Sequence, residues 1–213
     1  TIAMIQCVGS RNAEAPYCSR VCCANAIKNA IAIRKADPNA AVYVFHKDIR
    51  TYGFREDLYK EAGMAGVRFV RVPDDKPPMV TKEGDDLKLV ATDIVLGDDI
   101  ELKPDMVVLS TGIRPHHDNE DLAKMLKVPL SKDKYFLEAH MKLRPVDFAT
   151  NGVYLCGLAH WPKFTDEAIA QATREAIRQH IRAGNPIAAD VDGKVCWLAP
   201  SEVQLDGDDG KRP

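Results

Sequence analysis

Three features missing from this 213-residue chain narrow its class. It has no excess of one charge: 29 Lys and Arg stand against 31 Asp and Glu, a formal net charge of −2. That excludes the strong positive field by which a protein holds nucleic acid or an anionic membrane surface. It has no apolar run near the ~20 residues that cross a bilayer, and no basic, apolar, small-residue leader opens it. A soluble, cytoplasmic protein with no nucleic-acid partner and no direct membrane span is expected. It also lacks a glycine fingerprint: the turn after the first strand carries a single glycine, Gly9, where a dinucleotide-binding turn reads G-x-G-x-x-G. The acidic residue expected about 20 positions on is missing too, the nearest being Asp48. Tight nicotinamide binding at that turn is not expected. The chain starts at Thr1 without an initiator Met and enters a strand almost at once, so a piece of a longer protein is expected.

What is present begins with a 46% apolar composition, enough for one large domain or two small ones. Residues 2–7 read as a short buried strand, 8–17 as a loop, and 18–35 as a helix with Val21, Ala24, Ile27 and Ile31 on one stripe. A second strand (41–45), a second helix ending in glycine (54–66) and a third strand (67–72) follow. This alternation predicts an α/β, Rossmann-like parallel sheet with covering helices. After Pro73 the pattern changes to period-two alternation around EGDD and LGDD, which predicts a small antiparallel meander and then a buried strand at 106–110 that returns to the main sheet. Beyond it come a polar helix (120–126), a buried strand in NGVYLCG, a long helix from about 166 to 183, and a loose tail from 185 to 213 rich in Gly, Asp and Pro.

Six cysteines do not read as a disulfide framework, because such domains are small and secreted and because Cys22 and Cys23 are adjacent. Four of them, Cys7, Cys18, Cys22 and Cys23, gather where the glycines are missing: at the end of the first strand and the start of the following helix. With Cys18 and Cys22 one turn apart and Cys23 about 100° further round, closure of the loop must bring Cys7 over to complete a set of four. Four thiolates suit a [4Fe–4S] cluster or structural zinc, and buried unligated thiols are the plain alternative. A thiol oxidoreductase is disfavoured, since redox pairs leave two residues between sulfurs. Cys156 reads as a core residue and Cys196 as a free thiol. His116 and His117 read as solvated.

The stretches IQCVGSR with YCSRVCC, YGFREDLYKEAGMAGVRFVR, VVLSTGIRP, and LKVPLSKDKYFLEAHMKLRPVDFATNGVYLCGLAHWPKFTDEAIAQA resemble the A subunit of heterodisulfide reductase and its homologues, including the A subunits of quinone-interacting membrane-associated oxidoreductases. The resemblance covers roughly residues 1–184. It implies a flavoprotein on a thioredoxin-reductase-like scaffold whose FAD domain is interrupted by a nicotinamide-domain-like one. Residues 1–112 would be that inserted domain, with C-x10-C-x3-C-C holding a [4Fe–4S] cluster. Residues 113–184 would be the C-terminal half of the split FAD domain.

In that family the strand like GVYLCG leads to a Gly-Asp whose carboxylate holds the flavin ribityl chain. Here Gly157 is followed by Leu158. The resemblance then leaves Gly157, Leu158, Ala159, His160, Lys163, Phe164 and Ala168 as candidate FAD contacts, with Thr165 as N-cap of a helix aimed at the flavin. It also implies partners: a preceding FAD-binding half of the same polypeptide, and the other subunits of a redox complex. No C-x2-C-x2-C ferredoxin motif is present. The resulting expectation is an oxidoreductase segment passing electrons between FAD and [4Fe–4S] centres, inactive alone. The alternative is a non-catalytic, zinc-stabilised interaction module.

Overall fold

The computed structural model describes residues 1–150, 152–191 and 194–203. Two compact units divide the chain, Thr1–Arg114 and the part from Pro115 onward.

The first unit is α/β. Its strands β1 (Ile2–Val8), β2 (Val42–His46), β3 (Arg68–Arg71) and β7 (Met106–Thr111) form one sheet in the order β3-β2-β1-β7, with every pair parallel. Two helices, α1 (Cys22–Ala36) and α2 (Glu56–Met64), and a meander of β4 (Met79–Glu83), β5 (Asp86–Asp93) and β6 (Asp98–Leu102) complete it.

Alternation along the central strands sorts the faces. Met4, Val42 and Val44 pack with Ala26, Ile27, Ala30 and Ile31 of α1. Ala3, Ile5 and Phe45 pack with Leu89 and Ala91 of β5. Both faces of the sheet are therefore covered, as a parallel sheet requires. Each fully buried side chain the size of Met4, Ile27 or Phe45 contributes about 1.5–3 kcal/mol.

Helix α2 starts on Glu56 and Asp57, which suit its positive N-terminal dipole end, and closes through Ala65 to Gly66 at φ +83°. Arg34 joins the layers: its guanidinium donates to the carbonyls of Ala65 (2.7 Å), Pro38 (2.5 Å) and Ala40 (2.7 Å).

The second unit holds α3 (Asn119–Leu126), α4 (Thr165–Ala183) and a hairpin of β8 (Ile187–Val191) and β9 (Lys194–Leu198). Its core is Ala123, Val128, Phe136, Phe148 and Leu155.

Several expectations are corrected. The first helix begins at Cys22, not at residue 18, because Arg20 takes a left-handed φ of +62° that no helix contains. NGVYLCG forms no strand among its described residues: Tyr154 makes one isolated bridge to Asp147, and the chain beside it offers only a short stretch to pair with. Cys156, expected in the core, is exposed. Part of the tail expected to be loose is the β8–β9 hairpin; residues 204–213 lie outside the described set. The N-cap of α4 is Phe164, with Thr165 its first residue. There the Glu167 carboxylate reaches back to accept the Phe164 N–H at 2.8 Å, so the acid three residues on does the capping expected of the hydroxyl. No helix among the described residues is long and apolar enough to cross a membrane.

Candidate functional site

Cys7 sits near the carboxyl end of β1, at an irregularity. Ile5 pairs with Leu109 and Val8 with Thr111, so β1 spends one more residue than β7 over the same step, and Cys7 has a left-handed φ of +61°. Cys18 lies in the loop before α1, where its sulfur accepts the Arg20 N–H at 3.3 Å. Cys22 and Cys23 open α1; Cys23 is the buried one, its thiol facing the Asp48 carbonyl at 3.9 Å. The first turn of α1 carries no acidic residue and its N-cap, Val21, supplies no side-chain acceptor. The positive end of the helix dipole is thus left to the thiols.

The four sulfurs lie within electrostatic reach of one another. Burial pushes the Cys7, Cys22 and Cys23 thiols up, Cys23 to about 11, and every pair among Cys7, Cys18, Cys22 and Cys23 is close enough for one thiolate to disfavour another. Arg11 and Lys47 oppose the rise at Cys7. Burial works against the Arg50 guanidinium, but its hydrogen bond to Asp48 outweighs that and raises its pKa, and it also reaches the Cys18 sulfur. Asp48 adds to the rise at Cys7 and pairs with both Arg11 and Arg50, so the cations near the sulfurs are partly neutralised by it. The raised pKa values of Cys7, Cys22 and Cys23 keep those three protonated and so poor nucleophiles, which argues against direct thiol–disulfide chemistry by them.

No three of the four sulfurs lie within 4.8 Å of one another. A tetrahedral site with Zn–S of ~2.3 Å separates its sulfurs by roughly 3.8 Å. Among the described residues, the group of three metal-capable side chains with ligand atoms all within 4.8 Å of one another is His116, His117 and Asp118. Those three are exposed, as expected of the histidines.

The loop between β1 and α1 is fastened from within. Asn12 Oδ1 accepts from the N–H groups of Glu14 (3.1 Å) and Ala15 (2.8 Å); Ser10 N–H donates to Cys7 O, Arg11 N–H to Tyr17 O and Asn12 N–H to Ala15 O. These donors would cradle a phosphate in a dinucleotide-binding relative, and here they are occupied. Outside the loop, Tyr17 Oη donates to Ile113 O (3.1 Å), Ser19 Oγ accepts from Ile113 N–H (2.8 Å), and Lys47 Nζ donates to Arg11 O (3.1 Å). Gly112 permits this closure, since a Cβ there would meet Ser10 Cβ at 2.8 Å. Arg11 also ion-pairs with Asp48. A cavity of about 540 Å³ opens at the same edge, lined among others by Gln6, Cys7, Arg11, Lys47 and Leu109; of the four thiols only Cys7 borders it.

In the second unit, Gly157, Leu158 and Ala159 form a 3-10 turn, with Gly157 at φ +65°. The N–H groups of Leu158 and Ala159, at its start, have no acceptor within the turn. Ala168 lies against it, 3.9 Å from where a Gly157 Cβ would stand. His160 is held in a polar network that the sequence did not reveal. Lys163 Nζ donates to its Nδ1 at 3.1 Å, leaving Nε2–H to donate to Glu138 at 2.8 Å. Lys163 also donates to Gln171 (2.5 Å), which itself reaches the Pro145 carbonyl (3.3 Å). Burial and then Lys163 lower the His160 pKa, with Glu138 opposing, so the imidazole is neutral at pH 7. Glu138 lies 22 residues from His160 and Gln171 lies 11 away, with no local motif linking either to it. Phe164 begins α4.

The first unit is a parallel α/β sheet whose first β-α turn is built around thiols. Among solved structures the chain is similar to thioredoxin reductase from T. acidophilum (TM-score 0.54, 13% identity, 85% of this chain and 52% of that one) and from Lactococcus lactis (TM-score 0.50, 15% identity, 85% and 53%). At such identities the likeness shows the fold alone. No family model matches.

Relatives by sequence are more specific. The iron–sulfur A subunit of CoB–CoM heterodisulfide reductase from Methanocaldococcus jannaschii is 41% identical over 177 residues, 80% of this chain and 26% of that protein. One of the corresponding A subunits of Methanopyrus kandleri is 37% identical over 96% of this chain and 32% of that protein. The A subunit of the H2:CoB–CoM heterodisulfide,ferredoxin reductase of Methanothermobacter thermautotrophicus is 39% identical over 92% and 31%. The chain belongs to the family of heterodisulfide reductase A subunits and spans about a third or less of the length of these relatives.

Proposed function

We propose that this chain is the segment of a heterodisulfide-reductase-A-like subunit that holds a [4Fe–4S] cluster on Cys7, Cys18, Cys22 and Cys23 and the isoalloxazine side of FAD on Gly157, Leu158, Ala159, His160, Lys163, Phe164 and Ala168. The whole subunit would pass electrons between the two in a multi-subunit, soluble, cytoplasmic redox complex. The observation that carries the reading is the convergence of four thiols on one strand end and the following helix start, every pair within electrostatic reach. Orphaned polar atoms beside Cys7, those of the Gln6 carboxamide, fit a sulfur-rich group there.

When bound, such a cluster supplies one-electron transfer, and FAD links it to two-electron chemistry. The chain's own residues prepare both sites. Arg11, Lys47 and Arg50 offset negative charge at the sulfurs, and the uncapped α1 N-terminus does the same. In the second unit, the N–H groups at the start of the 3-10 turn and the α4 N-terminus offer donors to the flavin's carbonyl edge, where negative charge develops on reduction. Neutral His160, oriented by Glu138 and Lys163, offers no charge of its own. The FAD site needs a preceding half: Tyr154 and Leu158 are 54% and 51% exposed, an apolar surface that the adenosine-binding half would cover.

Anaerobic purification with iron, sulfide, zinc and flavin analysis tests the reading. Iron and sulfide in the chain are expected, lost in each of C7S, C18S, C22S and C23S and kept in C156S and C196S. Stoichiometric FAD is expected in the full-length protein and not in this chain by itself. Zinc in place of iron after anaerobic handling would establish the structural-module alternative.

A further inference from the structure

The deepest unexplained polar group in the first unit is Gln6. It is 6% exposed, and neither its Nε2 nor its Oε1 has a hydrogen-bond partner. Leaving a buried amide unpaired is costly, so a fold that keeps one requires a reason. The register supplies its position. Met4 packs with α1, whereas Ile5 and Val8 both pack on the meander side. Between Ile5 and Val8, β1 has two residues for one on β7. Gln6 and Cys7 therefore share the one intervening step, which belongs to the face carrying α1 and its opening pair Cys22 and Cys23. On the next strand, His46, one residue beyond the partner of Ile5, is also buried with an unpaired Nδ1. The two groups thus do not satisfy each other, and the unpaired amide adjoins Cys7, with which Gln6 lines one cavity.

We propose that the Gln6 carboxamide donates an N–H···S hydrogen bond to the centre held by Cys7, Cys18, Cys22 and Cys23 and so raises its reduction potential. This rests on the iron–sulfur reading and deepens it: Gln6 is a positioning and tuning residue, not a ligand. Reduction adds one electron to the centre, and a donor aimed at sulfur stabilises the more negative state.

The test compares wild type with Gln6→Leu, similar in size and without polar atoms, both reconstituted anaerobically with iron and sulfide and titrated potentiometrically by electron paramagnetic resonance. Equal iron content is expected, with the reduced-to-oxidised ratio at a given ambient potential about tenfold lower in Q6L, a downward shift of about 59 mV for a one-electron couple. A second readout needs no redox chemistry. Without metal, Q6L should resist denaturant better than wild type because the unpaired amide is gone, and its gain in stability on reconstitution should be smaller. Equal potentials, or equal gains on reconstitution, overturn the role of Gln6. If Q6L takes up no iron, Gln6→Met replaces it; failure of both refutes a tuning role, which does not require the amide for assembly. A wild-type chain that binds no iron overturns the iron–sulfur reading itself, an outcome distinct from equal potentials in two loaded proteins.

Discussion

His46 gives the first unit a pH dependence whose size can be worked out. It is 8% exposed on the carboxyl end of β2, edge-on to the Phe69 ring at 6.2 Å, with Nδ1 unpaired. Burial lowers its pKa from 6.5 to about 4, with Arg71 pulling the same way and Asp48 and Asp93 opposing. Because the folded pKa is the lower one, the unfolded chain takes the proton first. The contribution is complete above pH 6.5, falls as pH drops from 6.5 to about 4, and is gone below that. At pH 5 the loss relative to pH 8 is about 2 kcal/mol, from 1.36 kcal/mol per pH unit with both protonation equilibria included. In opening constant that is about thirtyfold.

The assay is urea titration of the reduced, chelator-treated chain at pH 8 and pH 5, read by hydrogen-exchange labelling of the β2 peptide so that only the first unit is followed. His46→Phe, which fits beside Phe69 and cannot titrate, is the control. The difference between wild type and H46F should grow by about 2 kcal/mol in favour of the variant between pH 8 and pH 5. Identical pH responses of the two proteins would refute the assignment, since all other titrating groups are common to both.

Other outcomes follow from single residues. Arg34→Ala removes donors from three carbonyls at once and should cost the first unit about 2 kcal/mol in urea unfolding; a loss below about 0.5 kcal/mol would show that water replaces them at no cost. Gly112→Ala drives a Cβ into Ser10 and the Gly9 carbonyl and should cost about 1–3 kcal/mol and slow metal uptake; unchanged uptake would mean the loop closes without this contact. Glu138→Gln removes the group that opposes burial and Lys163 at His160, so the imidazole pKa read by NMR should fall further, and a rise would reverse the account of the network. Nicotinamide dinucleotides should show no micromolar binding at residues 8–17, where the N–H groups of Ser10, Arg11, Asn12, Glu14 and Ala15 are occupied; a calorimetric titration with such an affinity, abolished by loop substitutions, would contradict this.

The parallel sheet was legible because buried strands in α/β proteins are continuous apolar runs, and AVYVF and MVVLS are of that kind. Spacing grouped the four thiols, and the structure brings them within electrostatic reach of one another; what they hold was not legible from it. The start of α1 was not: Arg20 adopts a left-handed conformation without being glycine, and nothing local announces it. NGVYLCG misleads because apolar composition there does not mean burial: Leu155 is 3% exposed but Tyr154 is 54%. Alternate residues, Val153 and Leu155, anchor the segment to the core while Tyr154 between them faces outward. Glu138 and Gln171 escaped notice because their tie to His160 is tertiary, formed by polar residues that read as surface.

The strain around the thiols and the rigidity of their loop have one physical explanation. Cys7, Arg11 and Arg20 all adopt positive φ without being glycine, at a cost of order 1–2 kcal/mol each. The Asn12 turn, the Tyr17 and Ser19 ties to Ile113 and the Lys47 contact hold the loop in that shape. A chain selected for stability alone would relax these positions with glycine and would cap α1 with a serine or aspartate. Here Val21 leaves the helix end uncapped, and burial keeps Cys7, Cys22 and Cys23 protonated in the absence of metal. Each feature is unfavourable by itself; under the iron–sulfur reading proposed above, each would become favourable once a metal core displaced the protons and took the thiolates as ligands. The ordering cost would then be met in folding, before the centre binds, so that metal affinity would gain what stability of the empty chain gives up.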